Sequence, residues 1–158
     1  MKLRKAQKED LNRVADLYRS VVGIPGCTWN ESYPGAFELE HDFRNRNLFV
    51  LQEGEQVIGA VSIVIPRELD ALTNWRCLDK AVEIARVVID RDHARKGLAQ
   101  IMLEELFIRL KARGCEAIHL SVASCNPAAI RTYEKLEFCF LTRIEMYEHS
   151  YHLCERIL

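Results

Sequence analysis

The sequence predicts an α/β protein on a mixed sheet, and three observations carry that prediction. Apolar residues alternate or run together in seven short segments and recur at helical spacing in four longer ones. The segments follow in the order β-α-α-β-β-β-α-β-α-β-β. One step, Glu83 to Arg113, joins a strand that reads as buried on both faces to the longest helix, and the rest of the chain is organised around it.

Lys2–Ala6 is a short opening strand. Lys8–Val22 places Leu11, Val14, Ala15, Tyr18, Val21 and Val22 on one side, with Glu9 and Asp10 in the first turn where acids suit the helix dipole. Gly23–Gly35 breaks the pattern with three glycines and two prolines, so it is a loop. Its Trp29 and Tyr33 either cap the core or line a substrate pocket. Ala36–Asn45 is a shorter helix. Leu48–Gln52 and Gln56–Ile65 are strands joined at Glu53-Gly54-Glu55, a hairpin with a glycine in its turn. Residues 67–80 form a polar connection that carries Leu69, Leu72, Trp75 and Leu78, as a loose helical turn over the sheet would.

Val82–Ile89 is the central strand. After the polar loop Asp90–Lys96, a helix opens at Gly97 with Leu98, Met102, Leu106 and Leu110 on one line and Leu103 and Phe107 beside them. Gly114 ends it, with Lys111 and Arg113 in its last turn. Ala117–Val122 is a strand. Asn126-Pro127 starts a helix as N-cap and first residue, and it runs to about Leu136. Phe138–Met146 and Ser150–Ile157 close the fold as two strands.

Composition narrows the function. The chain of 158 residues is 49% hydrophobic and 28% charged, as in a soluble globular domain, and it reads as one domain over 1–158. A net charge of −1 carries no electrostatic footprint for nucleic acid. The longest apolar run, Val57–Ile65, is interrupted and too short to span a bilayer, and the start lacks the apolar stretch of a signal peptide. The six cysteines are widely spaced, which argues for reduced thiols in a cytoplasm. His149, His152 and Cys154 lack a fourth partner, so no metal is expected.

The start of the long helix is unusual. Arg95 and Lys96 precede Gly97, although cations are disfavoured at a helix N-terminus. Free N–H groups, a glycine and two basic side chains suit an anionic ligand, phosphate above all; the alternative is two cations that point into water.

Arg95-Lys96-Gly97-Leu98-Ala99, then Asn126, then Tyr133 seven residues later, together with the order of elements, resemble the GNAT superfamily of acetyl-CoA-dependent N-acyltransferases. The resemblance covers nearly the whole chain. The Gly-x-Ala end of the helix-start pattern falls on Gly97 and Ala99, while its leading Arg or Gln is Ala94. The later pattern, Asn-x-x-Ala-x-x-x-Tyr-x-x-x-Gly-Phe, matches at Asn126, Ala129, Tyr133 and Phe138, with Glu137 in place of its glycine. The resemblance implies a mostly antiparallel mixed sheet of about seven strands flanked by about four helices. It implies that the backbone of Val87, Val88 and Ile89 pairs with the pantetheine arm of acetyl-CoA. The amides of Arg95, Lys96, Gly97, Leu98, Ala99 and Gln100 would hold the pyrophosphate, and Asn126 would contact the cofactor arm. No metal is implied.

The chemistry is attack of a neutral amine on a thioester. A lysine-like amine has a pKa of about 10.4, so about one in 2,500 is neutral at pH 7, and a base is required unless the amine binds neutral. The leaving thiolate benefits from a proton donor, worth about 10²–10⁴ in rate if well placed. The family match makes Tyr133 that donor; its helical spacing alone makes it a core tyrosine. Glu83 resembles the catalytic glutamate of the histone acetyltransferase branch, and burial would raise its pKa towards a useful value. Otherwise it faces solvent at the strand's start or pairs with Arg86. The ribosomal-protein N-terminal acetyltransferases carry a glutamate five residues before the asparagine, where this chain has Ser121. His119 is expected near the surface. Cys125 suggests a covalent route, but no base or cation stands beside it in sequence.

The expectation is a cytoplasmic N-acetyltransferase that acts by direct transfer on a small amine, amino acid or peptide N-terminus. Its partners are acetyl-CoA and the amine, without nucleic acid or membrane, and a homodimer through the final strand is open. The alternative is an acetyl-CoA-binding sensor that has lost turnover, which Ala94 and Glu137 permit. A third option is acyl transfer to a hydroxyl, or of a longer acyl chain.

Overall fold

The computed structural model describes residues 1–158. Seven strands form one continuous sheet: β1 (Lys2–Lys5), β2 (Leu48–Glu53), β3 (Gln56–Ile63), β4 (Ala81–Ile89), β5 (Ala117–Ala123), β6 (Cys139–Met146) and β7 (His149–Ile157). Their spatial order is β1-β2-β3-β4-β5-β7-β6, and only β4 and β5 run parallel. The expected mixed, mostly antiparallel sheet is thus what the chain forms. Four helices flank it: α1 (Leu11–Val21), α2 (Ala36–Arg44), α3 (Leu98–Ala112) and α4 (Pro127–Lys135). No helix is long and apolar enough to cross a membrane.

The two faces of the sheet carry two cores. Against one lie α3 and α4: Leu98, Met102, Leu103, Leu106, Phe107 and Leu110 are all buried, the stripe read from their spacing. Each such side chain stabilises the fold by about 1.5–3 kcal/mol. Against the other lies α1, through Val14, Leu17 and Tyr18, with Leu39 of α2. Arg13 ties α1 to the end of β4: its guanidinium pairs with Asp90 and donates to the Val57 carbonyl at 3.0 Å.

The final strand does not form an edge. β7 is the return arm of a hairpin and inserts between β5 and β6, so both its sides are paired and the exposed edge is β6. The final strand therefore has no free backbone edge to offer a second copy.

The central departure from regularity is in β4. Arg86 has φ +55, and Val61 of β3 stands opposite both Arg86 and Val87, a bulge that twists the strand. On its other side β4 pairs with β5 only at Ala81–Glu83. Beyond Glu83 the strands part, while β5 stays paired to β7 as far as Ala123.

Candidate active site

The opening between β4 and β5 leads into a cavity of about 1060 Å³. Its walls include Ile84 to Ile89 of β4, Leu120 to Ala123 of β5, Asn126 just before α4, Tyr133 of α4, and Trp29 and Tyr33 of the loop before α2. Most of the residues singled out in the sequence therefore meet in one place.

The backbone of Val87, Val88 and Ile89 faces the opening with no strand hydrogen-bonded on that side. An extended ligand with amide groups can pair there as an added strand does. At one end of α3, the N–H groups of Arg95 to Gln100 donate to no protein acceptor; the first helical bond runs from Ile101 to the Gly97 carbonyl. Arg95 and Gly97 both have positive φ, +63 and +72. Nothing lies within 4 Å of where a Gly97 Cβ would stand, so the approach to these amides is open. The side chains of Arg95 and Lys96 are exposed and without a carboxylate partner. Six free amides with two cations fit a pyrophosphate.

Glu83 stands at the last rung before the strands part, and its side chain is buried. One carboxylate oxygen, Oε2, accepts the N–H of Glu68 at 2.8 Å and of Leu69 at 3.0 Å. The other oxygen takes no protein donor, and the residue lines the cavity. Burial pushes its pKa up to about 7, against the pull of the two amides. Glu83 neither faces solvent nor pairs with Arg86. That arginine turns to the other face and holds Asp42 through two bonds of 2.9 and 3.0 Å.

Tyr133 is at once a core residue and a wall of the cavity. Its α4 ends in a Schellman turn: the N–H of Phe138 reaches the Tyr133 carbonyl and that of Glu137 the Glu134 carbonyl, both at 3.0 Å. The Phe138 ring packs edge-on against Tyr133 at 5.5 Å, the hydrophobic contact that this turn favours. Glu137 has φ +60, which accounts for the preference for glycine there. Burial raises the Tyr133 hydroxyl well above its ordinary pKa, so it stays protonated and can donate. Asn126 caps α4, its Oδ1 accepting from Ala129 N–H at 3.1 Å, which leaves its amide NH₂ to reach a ligand.

Trp29 does both things considered for it: it packs edge-on against Tyr18 at 5.5 Å and lines the cavity. Tyr33 is partly exposed in the wall, and its hydroxyl accepts from Arg86 Nη1 at 3.1 Å. Cys125 is exposed but does not line the cavity, so the geometry gives the covalent route no support.

His119 is a correction. It is fully buried, not superficial, because Trp75 stacks on it at 3.8 Å and Glu155 bonds its Nε2 at 2.9 Å. Sequence reasoning missed Glu155 altogether. Its carboxylate is also fully buried and accepts from Arg76 N–H, Arg76 Nε and Cys77 N–H. A lone glutamate among the apolar residues of a closing strand was the available signal.

A buried carboxylate beside parted strands, with free amides at one end and a protonated phenol in the wall, defines an enzyme that handles an extended phosphorylated co-substrate. The sequence pattern of the Acetyltransferase (GNAT) family matches residues 14–138. The chain belongs to the GNAT family of acetyltransferases. It is 30% identical over 109 residues to the [ribosomal protein bS18]-alanine N-acetyltransferase of Salmonella typhimurium, covering 66% of this chain and 73% of that one. It is 30% identical over 142 residues to an N-alpha-acetyltransferase of Saccharolobus solfataricus, covering 86% and 78%. Among solved structures, a ribosomal-protein-alanine N-acetyltransferase of Brucella melitensis superposes with a TM-score of 0.78 at 18% identity, over all of both chains. A GNAT superfamily phosphinothricin acetyltransferase of Sinorhizobium meliloti, solved with acetyl-CoA, superposes with 0.77 at 22% identity over 99% of this chain and 88% of that one.

Proposed function

We propose that the protein transfers the acetyl group of acetyl-CoA to a primary amine by direct attack, with Glu83 as base and Tyr133 as acid. The observation that carries this reading is the place of Glu83, at the rung where β4 and β5 part, with one oxygen free. Acetyl-CoA supplies the activated acetyl group. Arg95 to Gln100 bind its diphosphate through their amides, the exposed backbone of Val87 to Ile89 aligns its arm, and Asn126 adds an amide donor. Glu83, poised near neutrality, takes a proton from the entering ammonium, directly or through water. Tyr133 donates to the departing thiolate.

Ser121 stands where a catalytic glutamate is expected in the ribosomal-protein branch, so the base is assigned to β4, not β5. Relatives named for alanine and N-alpha acetylation support an α-amino acceptor, whose lower pKa asks less of the base.

The experiment is calorimetric titration with acetyl-CoA, followed by release of free CoA thiol against a panel of amines. Binding with amine-dependent release is expected. Binding without release across the panel would overturn the assignment as a transferase. Gly97→Glu is expected to weaken acetyl-CoA binding at least about tenfold by placing a like charge on the anion site; unchanged affinity would move that site elsewhere.

A further inference from the structure

Only one lysine or arginine, Arg86, lines the cavity. Three of its five guanidinium N–H groups are engaged. Nε and Nη2 bond the two oxygens of Asp42, and Nη1 donates to the Tyr33 hydroxyl. The side chains are 8% and 2% exposed. Burial works against the charge on Arg86, but the Asp42 carboxylate holds it firmly protonated. The pair is neutral as a unit and offers a visiting anion no net positive charge.

What remains is acidic. Glu38, Glu68 and Glu148 line the same cavity from three separate segments, and none has a cationic partner. Glu38 gives one oxygen to the Gly35 N–H, a bond that leaves its charge in place. Glu148 and Tyr147 have φ +65 and +52, in a tight turn between β6 and β7 that projects both residues at the rim. Phe37 and Tyr147 are 79% and 76% exposed, although large aromatics are costly to leave bare. Aromatic faces beside carboxylates attract cations. His41 and His149 are the other basic side chains of the wall beside Arg86.

We propose that the acceptor is a cationic amine with no carboxylate beside its nitrogen. The unpaired glutamates draw positive charge into the cavity, while the Asp42–Arg86 pair withdraws the one cation that an acceptor carboxylate could meet. The inference rests on the acetyl-transfer reading of this site. Free amino acids are then poor acceptors: a carboxylate that enters loses water and meets the unpaired glutamates without an unpaired lysine or arginine to offset them. Amines in which that group is absent or masked, as at a peptide N-terminus or in a diamine, are good ones.

The test compares agmatine with arginine, which share the guanidinium and the reacting nitrogen and differ in the carboxylate. Both kcat/KM, from CoA thiol release, and affinity for the CoA-saturated protein, from calorimetry, are measured. Agmatine is expected to lead by at least about tenfold in each, and the margin should shrink with added salt. The lower basicity of the arginine amine favours arginine, so basicity cannot produce that result. Arginine equal to or better than agmatine, or no binding of either, overturns the proposal. A binding preference without thiol release supports the charge assignment and instead sinks the acetyl-transfer reading; release without preference does the opposite. Glu68→Gln combined with Glu148→Gln alters exposed side chains only and should narrow the margin about threefold or more. An unchanged margin removes these residues from recognition. Asp42→Asn should free Arg86 and move the preference towards arginine; if that variant fails to fold, the glutamine pair decides alone.

Discussion

Glu83 and His119 face each other across the last rung that β4 and β5 share. His119 in turn stands opposite Glu155 of β7. The three side chains form one row on one face of the sheet, and residues 67–80 lie over them. Glu83 holds the amides of Glu68 and Leu69, Glu155 those of Arg76 and Cys77, and Trp75 spans the gap by stacking on His119. The Trp75 indole also donates to the Leu69 carbonyl at 3.1 Å. The connection is thus clipped at two carboxylates, and one of them is the proposed base.

Replacement of Glu83 by Gln should cut kcat/KM by about 10²-fold and remove the acid limb of its pH profile. In the native protein that limb should have an apparent pKa near 7, activity falling as the pH drops and Glu83 is protonated. A stability change accompanies it. The folded pKa lies above the ordinary carboxylate value, so the native state binds the extra proton, and the stability this adds at low pH is lost as the pH rises through 7. The melting temperature of Glu83→Gln relative to the native protein should therefore increase between pH 5 and pH 8. A constant difference, with a profile unchanged in shape, would show that Glu83 does not titrate there.

Tyr133→Phe removes the hydroxyl and keeps the ring that Phe138 packs against. Turnover should fall at least about tenfold while acetyl-CoA affinity stays within a few-fold, the signature of an interaction made in the transition state. Equal turnover would return Tyr133 to a purely structural role.

Glu137→Gly should stabilise the protein by about 0.5–1 kcal/mol, read as a higher denaturant midpoint at unchanged slope. A left-handed non-glycine residue costs about 1–2 kcal/mol, part of which the entropy of an unfolded glycine offsets. Glu137 is exposed, and its nearest cation, Arg156, is 3.9 Å away, so little else is lost. Activity should be unchanged, since Tyr133 already sits within the turn.

Glu155→Ala strands four donors and leaves a buried hole. It should destabilise the fold by about 3–5 kcal/mol and speed proteolysis within residues 67–80. Hydrogen bonds hold the Glu155 carboxyl below its usual range although burial alone would raise it, so acid should loosen the same connection in the native protein. Proteolysis that is no faster in the variant would mean that Trp75 and Leu69 hold the connection without it.

The order of elements, the buried stripe and glycine stop of α3 and the Asn126-Pro127 start of α4 were legible in the chain alone. Each depends on residues that are near neighbours in sequence: apolar spacing, an asparagine before a proline, a glycine after a helix. Gly97, Asn126 and Tyr133 could be singled out for the same reason, because one strand-loop-helix and one helix hold them. Tertiary structure decided the partners. Arg86 and Asp42 are bonded across two elements, and no local pattern says that the one cation of the cavity is neutralised. Likewise His119, Trp75 and Glu155 meet only after β7 inserts beside β5 and residues 67–80 fold over both. A charge in a sequence has a sign but no environment; burial and the group opposite decide whether it binds, reacts or is cancelled.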